Sequence, residues 1–330
     1  MANDVGRAMA RLKHKDIRTR RRAIRTLFEA NDPSTLEAFN SLLDDEDPWF
    51  VSKALDAYRM WAVSSGPEAV SALLNHDSID VRRAGANLLD PLGVNGFSLA
   101  KRALSDEDTV VLKKAAMALL NEHTESTANL LLDHEHETVR LFGFQHTSMN
   151  HDRILDGLKD ANHAVRNGAL RQVLSRGIDV DLATLLPFFE AGVEPVNILI
   201  WASKHAPDEI STFAQQLNAQ HAKDITDHLR NQVTSSQDPL ITCLLEAKLT
   251  EPVARWILHQ GKNEDELRWK LINDNDVPLI ERSKLLERLI GRANEPDVQE
   301  NVKAMLDSTE EELLRVACEN LSTAADELSS

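Results

Sequence analysis

The feature that most constrains this chain is a phrase that returns about every thirty residues. "DIRTRRRAIRTL" starts at Asp16, "DPWFVSKALDAY" at Asp47, "DSIDVRRAGANLL" at Asp77, "DTVVLKKAAMALL" at Asp108, "HETVRLFGFQH" at His136 and "NHAVRNGALRQVL" at Asn162. Each carries a polar cap, then an anchor, then a small residue four places after the anchor. The anchors are Thr19, Phe50, Val81, Val111, Val139 and Val165, spaced 31, 31, 30, 28 and 26. Such a period is too short for a domain and too long for a heptad. It describes a helical hairpin that cannot bury its apolar face alone and must stack on its neighbours.

The parts follow from local chemistry. Leu-rich stretches such as "STLEAFNSLL", "GPEAVSALL", "SLAKRALS" and "RILDGLKD" make a short first helix. Asp or Asn at the next turn can accept a backbone N–H and cap the second helix. Ala or Gly at anchor-plus-four permits the next hairpin to approach, and Leu at i and i+3 or i+4 fills the seam. Aromatics are 5% of the chain, with Tyr58 the single tyrosine, which suits helices packed through aliphatic side chains. Beyond about residue 175 the pattern weakens, but Val196, Ile225, Val253, Ile280 and Leu314 can continue the series of anchors.

"DVRRAGANLL", "AVRNGALRQVL" and "ETVRLFGF" resemble the second helices of HEAT repeats, in the short variety also found in bilin-lyase-type proteins. The resemblance implies an all-α fold, a right-handed α-solenoid of about 10–11 hairpins. Over residues 1–330 it implies one such solenoid: regular repeats with a basic tip over 1–175, divergent repeats over 176–290 and a C-terminal cap over 291–330. Family members join successive repeats by a ladder between the Asp before and the Arg after the anchor. Arg20, Arg82, Arg140 and Arg166 match, whereas Val51 and Leu112 depart, so the ladder is expected to be interrupted.

Two enzymatic readings arise. "HEHETVRLFGF", from His134 to Phe144, alternates imidazoles with carboxylates and resembles a His-Glu phrase of the deoxyhypusine hydroxylases, HEAT proteins that bind two irons. The corresponding units "DVRRAGAN", "TVVLKKAA" and "AVRNGALR" lack the doublet, so most ligands of a di-iron site are missing. HEAT-like alkylpurine DNA glycosylases line a basic groove with Trp, Asp and Arg. Trp49, Trp61, Trp201, Trp256 and Trp269 do not match that motif residue by residue, and Trp61 and Trp201 have the spacing of core residues. No Gly-rich phosphate loop, Cys-x-x-Cys pair or G-x-S-x-G elbow occurs. We expect no catalytic residue, metal or cofactor.

The net charge of −16 argues against a generic polyanion binder. Yet residues 1–25 hold nine cations against two carboxylates. Cations then recur at positions two, three and six after the anchors, where HEAT second helices line the concave surface. The candidate partner- or anion-binding residues are Arg18, Arg21, Arg22, Arg25, Lys53, Arg83, Lys113 and Lys114. The expected function is a non-enzymatic protein–protein interaction scaffold that binds an acidic partner on its N-terminal half. A HEAT-like nucleic-acid-binding protein is the alternative, and a His/Glu metalloenzyme ranks below it. Cys243 and Cys318, far apart in helical segments, fit a reducing compartment. Without an apolar run of membrane length or a signal-like N-terminus, a cytoplasmic protein with no membrane partner is expected.

Overall fold

Each phrase of the repeat becomes a helix, and in all but the third the polar side chain before the helix caps its first residues. The computed structural model describes residues 2–208, 210 and 214–329, and these are helices and turns with no strand among them. They group into two compact units, residues 1–173 and 174–330.

In the first unit, first and second helices alternate. The order is α1 (Ala2–Arg11), α2 (Ile17–Ala30), α3 (Leu36–Phe39), α4 (Pro48–Ser65), α5 (Pro67–Leu74), α6 (Ile79–Ala86), α7 (Phe97–Ala103), α8 (Thr109–Leu119), α9 (Glu125–Leu132), α10 (Glu137–Gly143), α11 (His151–Gly157) and α12 (His163–Arg176). From α1 to α10, each odd-numbered helix packs on the even-numbered one that follows it, and α4, α6 and α8 each pack on the next second helix. Asp16, Asp47, Asp108 and His136 accept backbone N–H groups of the helices they precede, each cap contributing about 1 kcal/mol. Phe50, Val81, Val111, Val139 and Val165 are all buried to within 1% of full burial, whereas Thr19 is only partly so.

The small residue at anchor-plus-four serves the hairpin itself. A Cβ on Gly85 would lie 2.8 Å from Leu73 Cβ and 3.1 Å from the Leu74 backbone nitrogen, both in α5, the first helix of its own pair. Gly143 meets Leu132 of α9 in the same way, at 2.7 Å. The close approach is therefore within a hairpin, because the second helix crosses its own partner at that level.

The Arg–Asp ladder is interrupted in the first unit, as expected. Arg20 bonds Asp45, Arg82 Nε donates to Asp106 at 2.8 Å and Arg140 Nε donates to Asp160 at 2.8 Å. The acceptor is the carboxylate five residues before the next anchor, not the cap. Val51 and Leu112 leave two junctions without an Arg, and histidines fill both. His76 Nε2 lies 3.0 Å from Asp44 Oδ1, and His134 Nε2 donates to the Leu104 carbonyl at 2.8 Å. Side chains at this register thus alternate His14, Asp45, His76, Asp106, His134, Asp160.

The second unit repeats the plan with more polar interiors. Its second helices are Pro195–His205, Ala222–Gln232, Thr250–Ile257, Leu279–Glu287 and Glu312–Ser329. With those of the first unit they make eleven second helices among the described residues, and the chain is all-α with the solenoid's hairpin construction. Val196, Ile225, Val253 and Leu314 are buried as expected, but Ile280 is 59% exposed. The residue buried there is Glu281.

Candidate partner-binding surface

The eight candidate cations lie on α2, α4, α6 and α8, and they divide into two sets. Arg21, Lys53 and Arg83 are tied into the fold. Arg83 donates to both oxygens of Asp108, the α8 cap, at 3.0 and 2.7 Å. Those bonds hold the Asp108 carboxyl below the usual carboxylate range, with the α8 backbone N–H groups adding to the effect. Arg21 lies 3.6 Å from Asp47, the α4 cap, with its guanidinium carbon 4.9 Å from the Trp49 ring. Lys53 pairs with Asp56 at 2.7 Å. In α2 and α6 the residue two places after the anchor therefore reaches the cap of the next second helix, a use that the sequence pattern did not reveal.

Arg18, Arg22, Arg25, Lys113 and Lys114 have no ion-pair partner among the described residues. The first four are exposed and Lys114 is half-buried. Arg18, Arg22 and Arg25 stand at i, i+4 and i+7 of α2, opposite its buried Ala23, Ile24 and Leu27, so all three face away from the core. Lys113 and Lys114 belong to α8, whose buried residues include Val111, Leu112, Ala115 and Ala116.

The histidines of "HEHETVRLFGF" are structural. His134 uses both ring nitrogens, Nε2 toward Leu104 O and Nδ1 as acceptor from the His136 backbone N–H at 3.0 Å. His136 caps α10 by accepting the Thr138 N–H at 3.2 Å. Among the described residues no three His, Cys, Asp or Glu side chains gather as a metal site.

The tryptophans share a structural task. Trp61 Nε1 donates to Asn31 Oδ1 at 2.9 Å, Trp201 Nε1 to the Ile178 carbonyl at 3.0 Å and Trp256 Nε1 to the Val233 carbonyl at 3.1 Å. Each indole N–H thus bonds the chain just after the preceding second helix, and all three rings are buried. A single sequence sign pointed to this, the helical spacing of Trp61 and Trp201 with apolar neighbours.

The hairpins of the N-terminal part are similar to HEAT repeats, a class of repeat that generally serves in protein–protein interaction. Residues 7–88 match the family described as HEAT repeats. Solved structures with some likeness include an engineered protein, 17% identical over 98% of this chain and 99% of that one, with a TM-score of 0.32. Another is the X-ray structure of the Escherichia coli protein YibA, 13% identical over 86% of this chain and 91% of that one, also with a TM-score of 0.32. At those scores the likeness carries no argument. No curated protein matches the chain. No helix among the described residues is long and apolar enough to cross a membrane.

Proposed function

We propose that the chain is a non-enzymatic interaction scaffold whose N-terminal unit docks an acidic protein surface or peptide on its second helices. The observation that carries this reading is the exposed α2 face of Arg18, Arg22 and Arg25, which has no carboxylate partner among the described residues. Neighbouring cations at nearby positions, Arg21 and Arg83, are neutralised by caps. Cations left unpaired in a chain of net charge −16 are a site for an anionic partner. Lys113 and Lys114 extend the surface to α8. The two buried free cysteines accord with a cytoplasmic location.

The test uses two probes, fluorescein-labelled polyglutamate and a short labelled DNA duplex, titrated over a salt series. The scaffold reading expects polyglutamate to bind. It expects the variant Arg18→Glu, Arg22→Glu, Arg25→Glu to lose that binding with unchanged helicity. Arg83 is left alone because its reversal would remove the α8 cap bond. Duplex binding in preference to polyglutamate, with a steep negative salt slope, would overturn the acidic-protein reading in favour of a phosphate backbone.

A further inference from the structure

Counted from the residue that precedes each second helix, the third position is the anchor: Asp47 to Phe50, Ser78 to Val81, Asp108 to Val111, His136 to Val139. The same count from Pro278 reaches Glu281, which is 2% exposed. Arg282 confirms the register. Its guanidinium bonds the turn that precedes its own helix, at Ile272 O and Asn275 Oδ1, as Arg82 and Arg140 bond theirs. The second unit therefore once buries a carboxylate where five of the six first-unit anchors are valine or phenylalanine. Such a burial is costly unless every oxygen is paired. Oε1 is satisfied, by Arg255 at 3.2 Å and Lys284 at 3.1 Å. Oε2 is shut off from water and has no partner.

Glu281 lines an open hollow of about 360 Å³, within the range of ligand pockets, about 300–1,000 Å³. Three successive second helices build it. Lys223, Asp227 and Arg230 come from Ala222–Gln232, Arg255 from Thr250–Ile257, and Lys284 from the helix of Glu281. Lys223 and Asp227 have no ion-pair partner among the described residues, and the one bond of the Arg230 side chain is to the Arg255 carbonyl at 3.4 Å. Four cations thus gather in a unit that holds 15 cations against 28 carboxylates. A local rule broken without compensation is the mark of a functional position.

We propose that this hollow docks the free C-terminal carboxylate of a partner polypeptide. A terminal residue carries its carboxylate one carbon from an amide N–H. Lys223, Arg230 and Lys284 take the carboxylate, the exposed Asp227 accepts the N–H, and Glu281 holds Arg255 and Lys284 in place from beneath. An acidic side chain has no donor so close to its carboxylate, and a fully ionised phosphate has none at all, so both leave Asp227 unanswered. The site lies in the second unit and does not depend on the α2 surface.

Fluorescence anisotropy with labelled random-sequence peptide pools tests it, one pool with free C-termini and one amidated. The free-acid pool binds, and amidation weakens binding at least about tenfold, the scale of a lost charge-assisted hydrogen bond. Arg230→Ala with Lys284→Ala, both exposed positions, produces a loss of the same size. Glu281→Leu, which restores an aliphatic anchor, loses binding while the thermal transition is kept. The α2 variant Arg18→Glu, Arg22→Glu, Arg25→Glu binds the free-acid pool like the parent. The proposal is overturned if neither pool binds, if both bind equally, or if only the α2 variant loses binding.

Discussion

His134 Nε2 donates to the carbonyl oxygen of Leu104 across 2.8 Å, so an imidazole from one repeat satisfies the turn of the repeat before it. The unit of Leu104 has Leu112 where others carry the ladder arginine, and the histidine fills that gap from the following turn. His134→Ala leaves the carbonyl without its donor and should destabilise the fold by about 1–3 kcal/mol in urea unfolding. Purified protein should also lack stoichiometric iron or zinc by elemental analysis, since both nitrogens of this ring are occupied.

Trp256→Phe keeps the ring's bulk while removing the N–H that bonds Val233 O. We expect a loss of about 1–3 kcal/mol, with Trp201→Phe similar, because each leaves a buried acceptor unpaired. Trp61→Phe should cost less, because its acceptor Asn31 is exposed and can turn to water. Equal losses at all three positions would contradict this account.

Gly85→Ala should be worse than Gly143→Ala. The added carbon meets Leu73 Cβ and the Leu74 backbone at Gly85, but the flexible end of Leu132 first at Gly143. Overpacking of this kind costs about 1–3 kcal/mol, and chemical denaturation of the two variants gives the order.

Acid should unfold the protein in two stages. His228 titrates below its ordinary 6.5 because burial, and then Lys204, disfavour its charged form. The unfolded chain therefore binds that proton first, and stability present above pH 6.5 is lost as pH falls through the lower folded value. Asp160 is held down by Arg140, and Glu295 by Arg292 and Lys262 to about 2. Their contribution is complete above about pH 4.5 and disappears as pH falls toward 2. Urea midpoints at pH 7.5, 5.5 and 3.5 should fall at each step, and His228→Asn should flatten the first. An unchanged first step in that variant would rule out His228 as its source.

Burial raises the Cys243 thiol to about 12 and the Cys318 thiol to about 11, with Glu246 and Glu319 adding to the effect. Neither should react with iodoacetamide at pH 8 until denaturant is added, as mass spectrometry would show.

The sequence by itself determined the hairpin repeat, the caps and most anchors, because these are local: a polar residue before a helix, an aliphatic residue three places on, a small residue four beyond that. It also marked Arg20, Arg82, Arg140 and Arg166 as rungs of a ladder, of which Arg166 bonds only the Asp160 and Ala161 carbonyls among the described residues. Tertiary structure alone decided which cations are occupied, because Arg83 and Arg22 read alike in a string until Asp108, twenty-five residues away, is placed beside one of them. It likewise moved the anchor from Ile280 to Glu281. Hydrophobicity chooses the apolar neighbour, but burial follows the helix register counted from the cap, and only packing shows that a carboxylate has been drawn inside.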